Sequence, residues 1–289
     1  MKFRMASFLT MLLSLVVLSP AQAGDGVKTR SIKVAPQVRI QYDVSGPRHA
    51  PAVLMLHGVT DSKHSWSSVA PYLNDHYRVY APTFRGHGNS SKPKGGYQVA
   101  TFAEDMIAFM DRLKIEKAII VGHSMGSFVA HQMASVYPER VSKLVLIGSS
   151  ATFVGNPVGE YLWDEAIGVP EFTDPVSADF IRDWQTGPNP VDDAFFNKVL
   201  SETAKVPARV WKAAFRTILT DDHSRFLKDV QAPTLILWGT ADPLMDADTQ
   251  AVLQQAIPAA TFKQYEGAGH NTHWEQPYEI AVDILNFIQ

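Results

Sequence analysis

The feature that most restricts the fold of this chain is a series of short apolar runs: Val53–Leu56, Arg78–Ala81, Ala118–Val121 and Leu144–Ile147. A strand with one wet face alternates polar and apolar side chains, whereas a strand covered on both faces does not. These runs do not alternate, so they predict a parallel sheet flanked by helices. The segments between them read as helical. In one, Thr101-Phe102-Ala103-Glu104 forms a capping box, and Phe102, Met106, Phe109 and Leu113 follow at helical spacing. Strand and helix in alternation define an α/β sheet, with sites at the carboxyl ends of its strands. Upstream, Ser31–Val34 and Arg39–Val44 do alternate, and predict a leading hairpin.

From about Ala151 to Val230 the rhythm breaks. No strand is convincing there, and helices are expected over Val176–Trp184, Asp192–Leu200 and Ala208–Leu219, each just after a proline. The stretch is rich in aromatics and reads as a helical cap inserted into the sheet domain. Strands resume at Thr234–Trp238 and Ala260–Gln264, and Tyr278–Ile288 closes the chain as an amphipathic helix. The expected organisation is a core of residues 24–150 and 231–289 with a cap of residues 151–230, within the size of one large domain.

The first 23 residues read as an export signal. Lys2 and Arg4 form a positive n-region, Phe8–Leu18 is apolar, and Ala21-Gln22-Ala23 is a small-residue cleavage site. The apolar run is shorter than the roughly 20 residues that span a bilayer, so no membrane span is expected after cleavage, and the product is periplasmic or secreted. Beyond residue 23 stand 24 basic and 29 acidic residues. That balance has no basic footprint for nucleic acid and no polybasic membrane patch. The chain contains no cysteine, which excludes disulfides, zinc–thiolate sites and a cysteine nucleophile.

Gly122-His123-Ser124-Met125-Gly126 fits the G-x-S-x-G nucleophile elbow, and it falls between the strand Ala118–Val121 and the helix Phe128–Val136. The turn needs a strained serine backbone, and side chains two positions away would collide with neighbouring segments, hence glycine at both. A serine hydroxyl needs a base, usually histidine. Of ten histidines, His270 in Gly267-Ala268-Gly269-His270 directly follows the last strand. His273 competes by proximity but reads as part of the final helix start, and His123 should point away from the hydroxyl. The base in turn needs a carboxylate to hold its tautomer. Asp242 follows the strand Thr234–Trp238 at its carboxyl end. Asp246 and Asp248 are near rivals, but each reads as an N-cap. The order Ser124, Asp242, His270 is the nucleophile, acid, base order of such sites.

Two backbone donors are needed for an oxyanion. Met125, after the nucleophile, offers one N–H, and Val59, in Leu56-His57-Gly58-Val59, the other. His57 is expected to bond the loop backbone that shapes this hole, and Trp66 to be core packing. Among the cap aromatics, Trp163, Trp184, Phe196 and Trp211 are the expected substrate contacts.

His57-Gly58, Arg85-Gly86-His87-Gly88-Asn89-Ser90, the elbow, the Asp242 loop and Gly269-His270 through Glu275 and Pro277 resemble the α/β-hydrolase superfamily, and its capped serine esterases and lactonases in particular. The resemblance covers nearly all of the chain after residue 23. It implies an acyl-enzyme route to ester or lactone hydrolysis, with no metal or organic cofactor and a small-molecule partner. It also leaves open perhydrolysis, carbon–carbon cleavage and a non-enzymatic receptor on the same scaffold. Carbon–carbon hydrolases of the superfamily commonly carry tryptophan after the histidine, where this chain has Asn271. Ser124 argues against the dehalogenases and epoxide hydrolases, which use aspartate. One departure is Thr83, where relatives often have aspartate two residues before the arginine of the R-G-x-G turn. The oligomeric state is not legible.

Overall fold

The computed structural model describes residues 26–289, so the export signal expected over residues 1–23 lies outside the described residues. Eight strands form one sheet: β1 (Lys28–Ala35), β2 (Val38–Ser45), β3 (Ala52–Leu56), β4 (Arg78–Pro82), β5 (Ala118–His123), β6 (Val141–Ile147), β7 (Thr234–Gly239) and β8 (Thr261–Tyr265). Their spatial order is β1-β2-β4-β3-β5-β6-β7-β8. The hairpin β1–β2 and the pair β2–β4 are antiparallel, and every pairing from β4 to β8 is parallel.

The continuous apolar runs have the expected cause. Every residue of β5 and β7 is buried, as are the last four of β3. Alternate side chains enter opposite layers. Leu54, Leu56, Ile120, Leu146 and Ile236 join one cluster with Phe102, Met106 and Phe128. Val53, Met55, Ile119, Val121 and Leu237 join another with Trp66, Ile280 and Ile284. The outermost parallel strand, β8, is covered on one side only and stays largely exposed.

The core helices are α1 (Ala70–Leu73), α2 (Val99–Leu113) and α3 (Met125–Val136). The capping box expected at Thr101 does not form. α2 begins three residues earlier, behind Gln98, whose carbonyl accepts Phe102 N–H at 3.0 Å. Val99 and Phe102 share one helical face and are both fully buried. Burial of Val99 therefore extends the helix past the polar cap signal.

Between β6 and β7 the chain forms no strand but four α-helices: α4 (Pro157–Leu162), α5 (Ala178–Gln185), α6 (Asp193–Thr203) and α7 (Ala208–Thr220). Asn156, Ser177 and Asp192 cap the first three by accepting from Gly159 N, Phe180 N and Phe195 N. α5 starts two residues later than Val176, at the position Ser177 can cap. The chain then returns through α8 (Ala247–Ala256), α9 (Thr272–Glu275) and α10 (Pro277–Ile288). Strand order reverses between β3 and β5, which places the loops after these two strands side by side at one edge of the sheet.

Candidate active site

Ser124 occupies the turn between β5 and α3 with φ 51° and ψ −124°, a conformation that side chains rarely adopt. The flanking glycines are required by close approach. A Cβ at Gly122 would lie 2.5 Å from Gly126 O, and one at Gly126 would collide with Leu56 O and lie 2.6 Å from His57 O. The turn is braced from below, where Ser127 Oγ donates to Ser124 O at 2.6 Å. Met125 opens α3, so its N–H has no intrahelical acceptor and is free to bind a ligand.

The loop after β7 carries Asp242 and the loop after β8 carries His270. His270 Nδ1 lies 2.8 Å from Asp242 Oδ2. The other oxygen, Oδ1, accepts from Leu244 N and Met245 N at 2.8 and 3.1 Å, so the buried carboxylate is fixed in orientation. This pairing puts the proton on Nδ1 and leaves Nε2 as the basic nitrogen. Nε2 is buried without a hydrogen-bond partner, and His270 and Ser124 line the same cavity. Burial pulls the His270 pKa down, but the charge and hydrogen bond of Asp242, with the charge of Asp61, outweigh it and leave the pKa above the ordinary imidazole value. His123 and His273 are more deeply buried, have no hydrogen-bonded carboxylate, and are held well below it. Electrostatics thus separate His270 from its neighbour His273, which instead bonds Ser65 Oγ through Nε2 at 3.0 Å.

The rival carboxylates stand elsewhere. Asp246 caps α8 by accepting from Thr249 N at 2.9 Å, as the sequence indicates. Asp248 lies inside the first turn of α8 and is not a cap. His57 bonds loop backbone on both sides: Nδ1 donates to Gly58 O at 2.7 Å and Nε2 accepts from Phe84 N at 3.0 Å. That locks the loop bearing Val59, which reaches the cavity beside Ser124. At the departure from the family pattern, Thr83 Oγ1 accepts from Lys63 N at 3.0 Å, and Arg85 is gripped by Asp105 through two bonds of 2.6 Å.

The cavity holds about 550 Å³. Phe153, Leu162, Phe180, Trp184, Phe215 and Ile218 contribute to its apolar wall, and among the described residues no lysine or arginine lines it. Of the four cap aromatics expected to meet substrate, Trp184 lines the cavity and three do not. Trp211 is fully buried among Phe172, Phe180 and Trp184, with ring centroids 5.3–5.7 Å away. Trp163 packs on Gly168 and receives the Arg216 guanidinium 5.1 Å above its ring. Phe196 sits under Arg182 at 5.9 Å. These three pack against other residues of the segment between β6 and β7.

Sequence reasoning missed Asp61. This residue is 4% exposed, lines the cavity, and accepts from Gln185 Nε2 at 3.0 Å. Burial pushes its pKa up to about 7, against the opposing pull of Gln185 and His270. The available signal was its place two residues beyond Val59, in a loop already assigned to the site.

A serine at a strand-to-helix turn and a histidine–carboxylate pair, all at the carboxyl edge of a mostly parallel sheet, define a nucleophile-elbow α/β domain. The sequence pattern of the α/β-hydrolase fold matches residues 51–277, and the chain belongs to that family. It is 30% identical to a non-heme chloroperoxidase of Streptomyces lividans, over 86% of this chain and 96% of that protein. It is 26% identical to 3-oxoadipate enol-lactonase 1 of Acinetobacter baylyi, over 86% of this chain and 93% of that one. Among solved structures it is similar to a membrane phospholipase A, with a TM-score of 0.80 and 25% identity, over 91% of this chain and 86% of that one.

Proposed function

We propose that this chain is a serine hydrolase that cleaves uncharged carboxylic esters or lactones, of small to medium apolar character, through an acyl-enzyme. The observation that carries the reading is the His270–Asp242 pair at 2.8 Å, with Nε2 left unbonded at the cavity that holds Ser124. Nε2 takes the Ser124 proton as Oγ attacks the carbonyl carbon, and returns it to the departing alcohol. The Val59 and Met125 N–H groups hold the oxyanion in both half-reactions. Water, deprotonated by His270, then releases the acid. The apolar wall and the lack of lysine and arginine among the described lining residues support an uncharged substrate. The positive n-region, apolar run and Ala21-Gln22-Ala23 site support export to a periplasm or beyond.

The chloroperoxidase relative favours a second reading on the same acyl-enzyme. Hydrogen peroxide in place of water would release a peracid.

A fluorescent organophosphonate, with mass mapping of the adduct, tests the assignment. Label is expected on Ser124, and Ser124→Ala is expected to keep its fold with less than about a thousandth of wild-type ester turnover. Asp242→Asn should lower kcat by about three to four orders of magnitude. Asp246→Asn should cost at most about 1 kcal/mol of helix stability and little activity. Label elsewhere, or a larger loss at Asp246 than at Asp242, would overturn the proposed roles.

A further inference from the structure

One short cap segment touches both loops on which the proposed chemistry depends. From the end of α5, Trp184 Nε1 donates to Thr60 Oγ1 at 3.0 Å, and Gln185 Nε2 donates to Asp61 Oδ1 at 3.0 Å. Thr60 holds φ 69°, a left-handed conformation that a β-branched residue keeps only under external support, and it directly follows Val59. Four residues after Gln185, Asn189 Nδ2 donates to Gly267 O at 2.7 Å and to Glu275 Oε2 at 2.6 Å. The same Glu275 oxygen accepts from Gly269 N at 2.9 Å, immediately before His270. Gly187 and Gly269 pack so closely here that a Cβ on either would strike Glu275 Oε1 or Pro188.

Gln185 is no incidental surface amide. It is 3% exposed, and its Nε2 also donates to Thr203 Oγ1 at 2.9 Å, so α5, α6 and the Val59–Asp61 loop meet at one nitrogen. Trp184 presents its ring to the cavity while its N–H reaches the loop. A group lying against that ring therefore bears on the segment that props Thr60.

We propose that Trp184–Asn189 is a positioning strap, through which the cap sets the Val59 loop and the His270 loop relative to Ser124. It rests on the serine-hydrolase reading only for its kinetic consequence. Asn189 lies outside the cavity lining, and Gln185 borders the cavity with its Nε2 committed to Asp61 and Thr203, so both act through the loops they hold. An acyl chain seated on Trp184 tightens the strap, so longer acyl groups raise kcat as well as lowering KM.

Amide hydrogen exchange reads the strap without turnover. Gln185→Met keeps the shape of the side chain and removes the donor, and Trp184→Phe keeps a ring and removes its N–H. Both are expected to speed exchange across Val59–Asp61 by about tenfold, and Asn189→Ala to do so across Gly267–His270, with protection in β5 and β7 unchanged. Unchanged exchange in both loops, or faster exchange throughout the sheet, would overturn the strap whatever Ser124 does. The kinetic arm compares a trifluoromethyl ketone, which forms an oxyanion adduct with a serine, and the parent methyl ketone as inhibitors. Gln185→Met should weaken the first by roughly ten- to a hundredfold in step with kcat, and leave the second and KM within about twofold. Equal weakening of both would assign Gln185 to substrate binding and overturn its positioning role. A wild type that binds both ketones equally, yet shows the exchange pattern, would count against the hydrolase reading and leave the strap standing.

Discussion

At the residue scale the site is a problem of where charge is tolerated. Asp61 and Asp242 are buried with His270, 14% exposed, beside them, and Asp242 turns one oxygen to His270 and the other to the Leu244 and Met245 amides. Asp61 is caught between burial, which pushes its pKa up to about 7, and His270, which benefits when it ionises. The folded state therefore holds a proton on Asp61 that an unfolded chain gives up near pH 4. Between those values the folded state binds more protons, so stability falls as pH rises toward 7 and is level above it. His270 adds the same sign: its raised pKa contributes stability below the ordinary imidazole value that is lost as pH rises through the folded one. Asp61→Asn is expected to be more stable than wild type in urea at pH 8 and to converge with it below pH 4. The same variant removes one of the charges that raise His270, so the acid limb of kcat/KM should move to lower pH. An acid limb that stays in place would mean that Asp61 does not act on the base.

At the scale of elements, the segment between β6 and β7 divides into side chains that line the cavity and side chains that pack behind them, often on the same helix. Trp211, Phe215 and Ile218 are spaced four and three residues apart on α7, and so share one face. Yet Phe215 and Ile218 reach the cavity while Trp211 is sealed between rings. Phe180→Ala and Phe215→Leu should change the kcat/KM ratio between two-carbon and eight-carbon acyl esters by at least about fivefold, because one methylene contact is worth roughly 1–3 kcal/mol. Trp163→Ala and Phe196→Ala should leave that ratio within about twofold and lower the unfolding midpoint instead. A ratio moved by Trp163 and not by Phe180 would reverse the division. Why proline start signals found these helices, while three of the four expected rings fall outside the cavity lining, follows from the same geometry. The runs of β3, β5 and β7 are dictated by burial on two faces, which a one-dimensional pattern records. The placement of Ser124, Asp242 and His270 at one edge of the sheet was legible because each follows a strand, and strand ends share that edge. A cap helix has no such reference line: which of its rings turns inward depends on angles between helices that local sequence does not encode. Asp61 escaped for a related reason, since nothing in the loop reveals that Gln185, 124 positions away, covers it. The capping box at Thr101 failed because full burial of Val99 outweighed a polar cap worth about 1 kcal/mol.

At the scale of the whole molecule, charge and shape both bear on the proposed class of substrate. The chain beyond residue 23 carries more acidic than basic residues, and the cavity itself brings Asp61 and Asp183 to its lining with no lysine or arginine among the described residues there to offset them. A surface field acts on the approach of a substrate and is screened over about 8–10 Å of salt solution, whereas a buried carboxylate acts on the bound state and is not. These two effects can be separated with a pair of activated esters of equal length, a butyrate and a hemisuccinate, which differ in one terminal carboxylate. Two like charges about 4–6 Å apart at an effective dielectric near 20 repel by roughly 3–4 kcal/mol. Asp61, with its pKa pushed up to about 7, escapes that repulsion at pH 8 by taking up a proton for about 1.4 kcal/mol, so kcat/KM for the hemisuccinate should be about tenfold lower at pH 8. The discrimination should shrink as pH falls through about 7, where Asp61 takes up a proton, and should shrink at pH 8 in Asp61→Asn. Added salt to about 0.5 M should leave most of it in place. If salt abolishes the difference, the filter is the surface of the molecule and not its cavity. If the hemisuccinate is hydrolysed as fast as the butyrate in low salt, the cavity accepts carboxylates, and the class of uncharged esters is the wrong one.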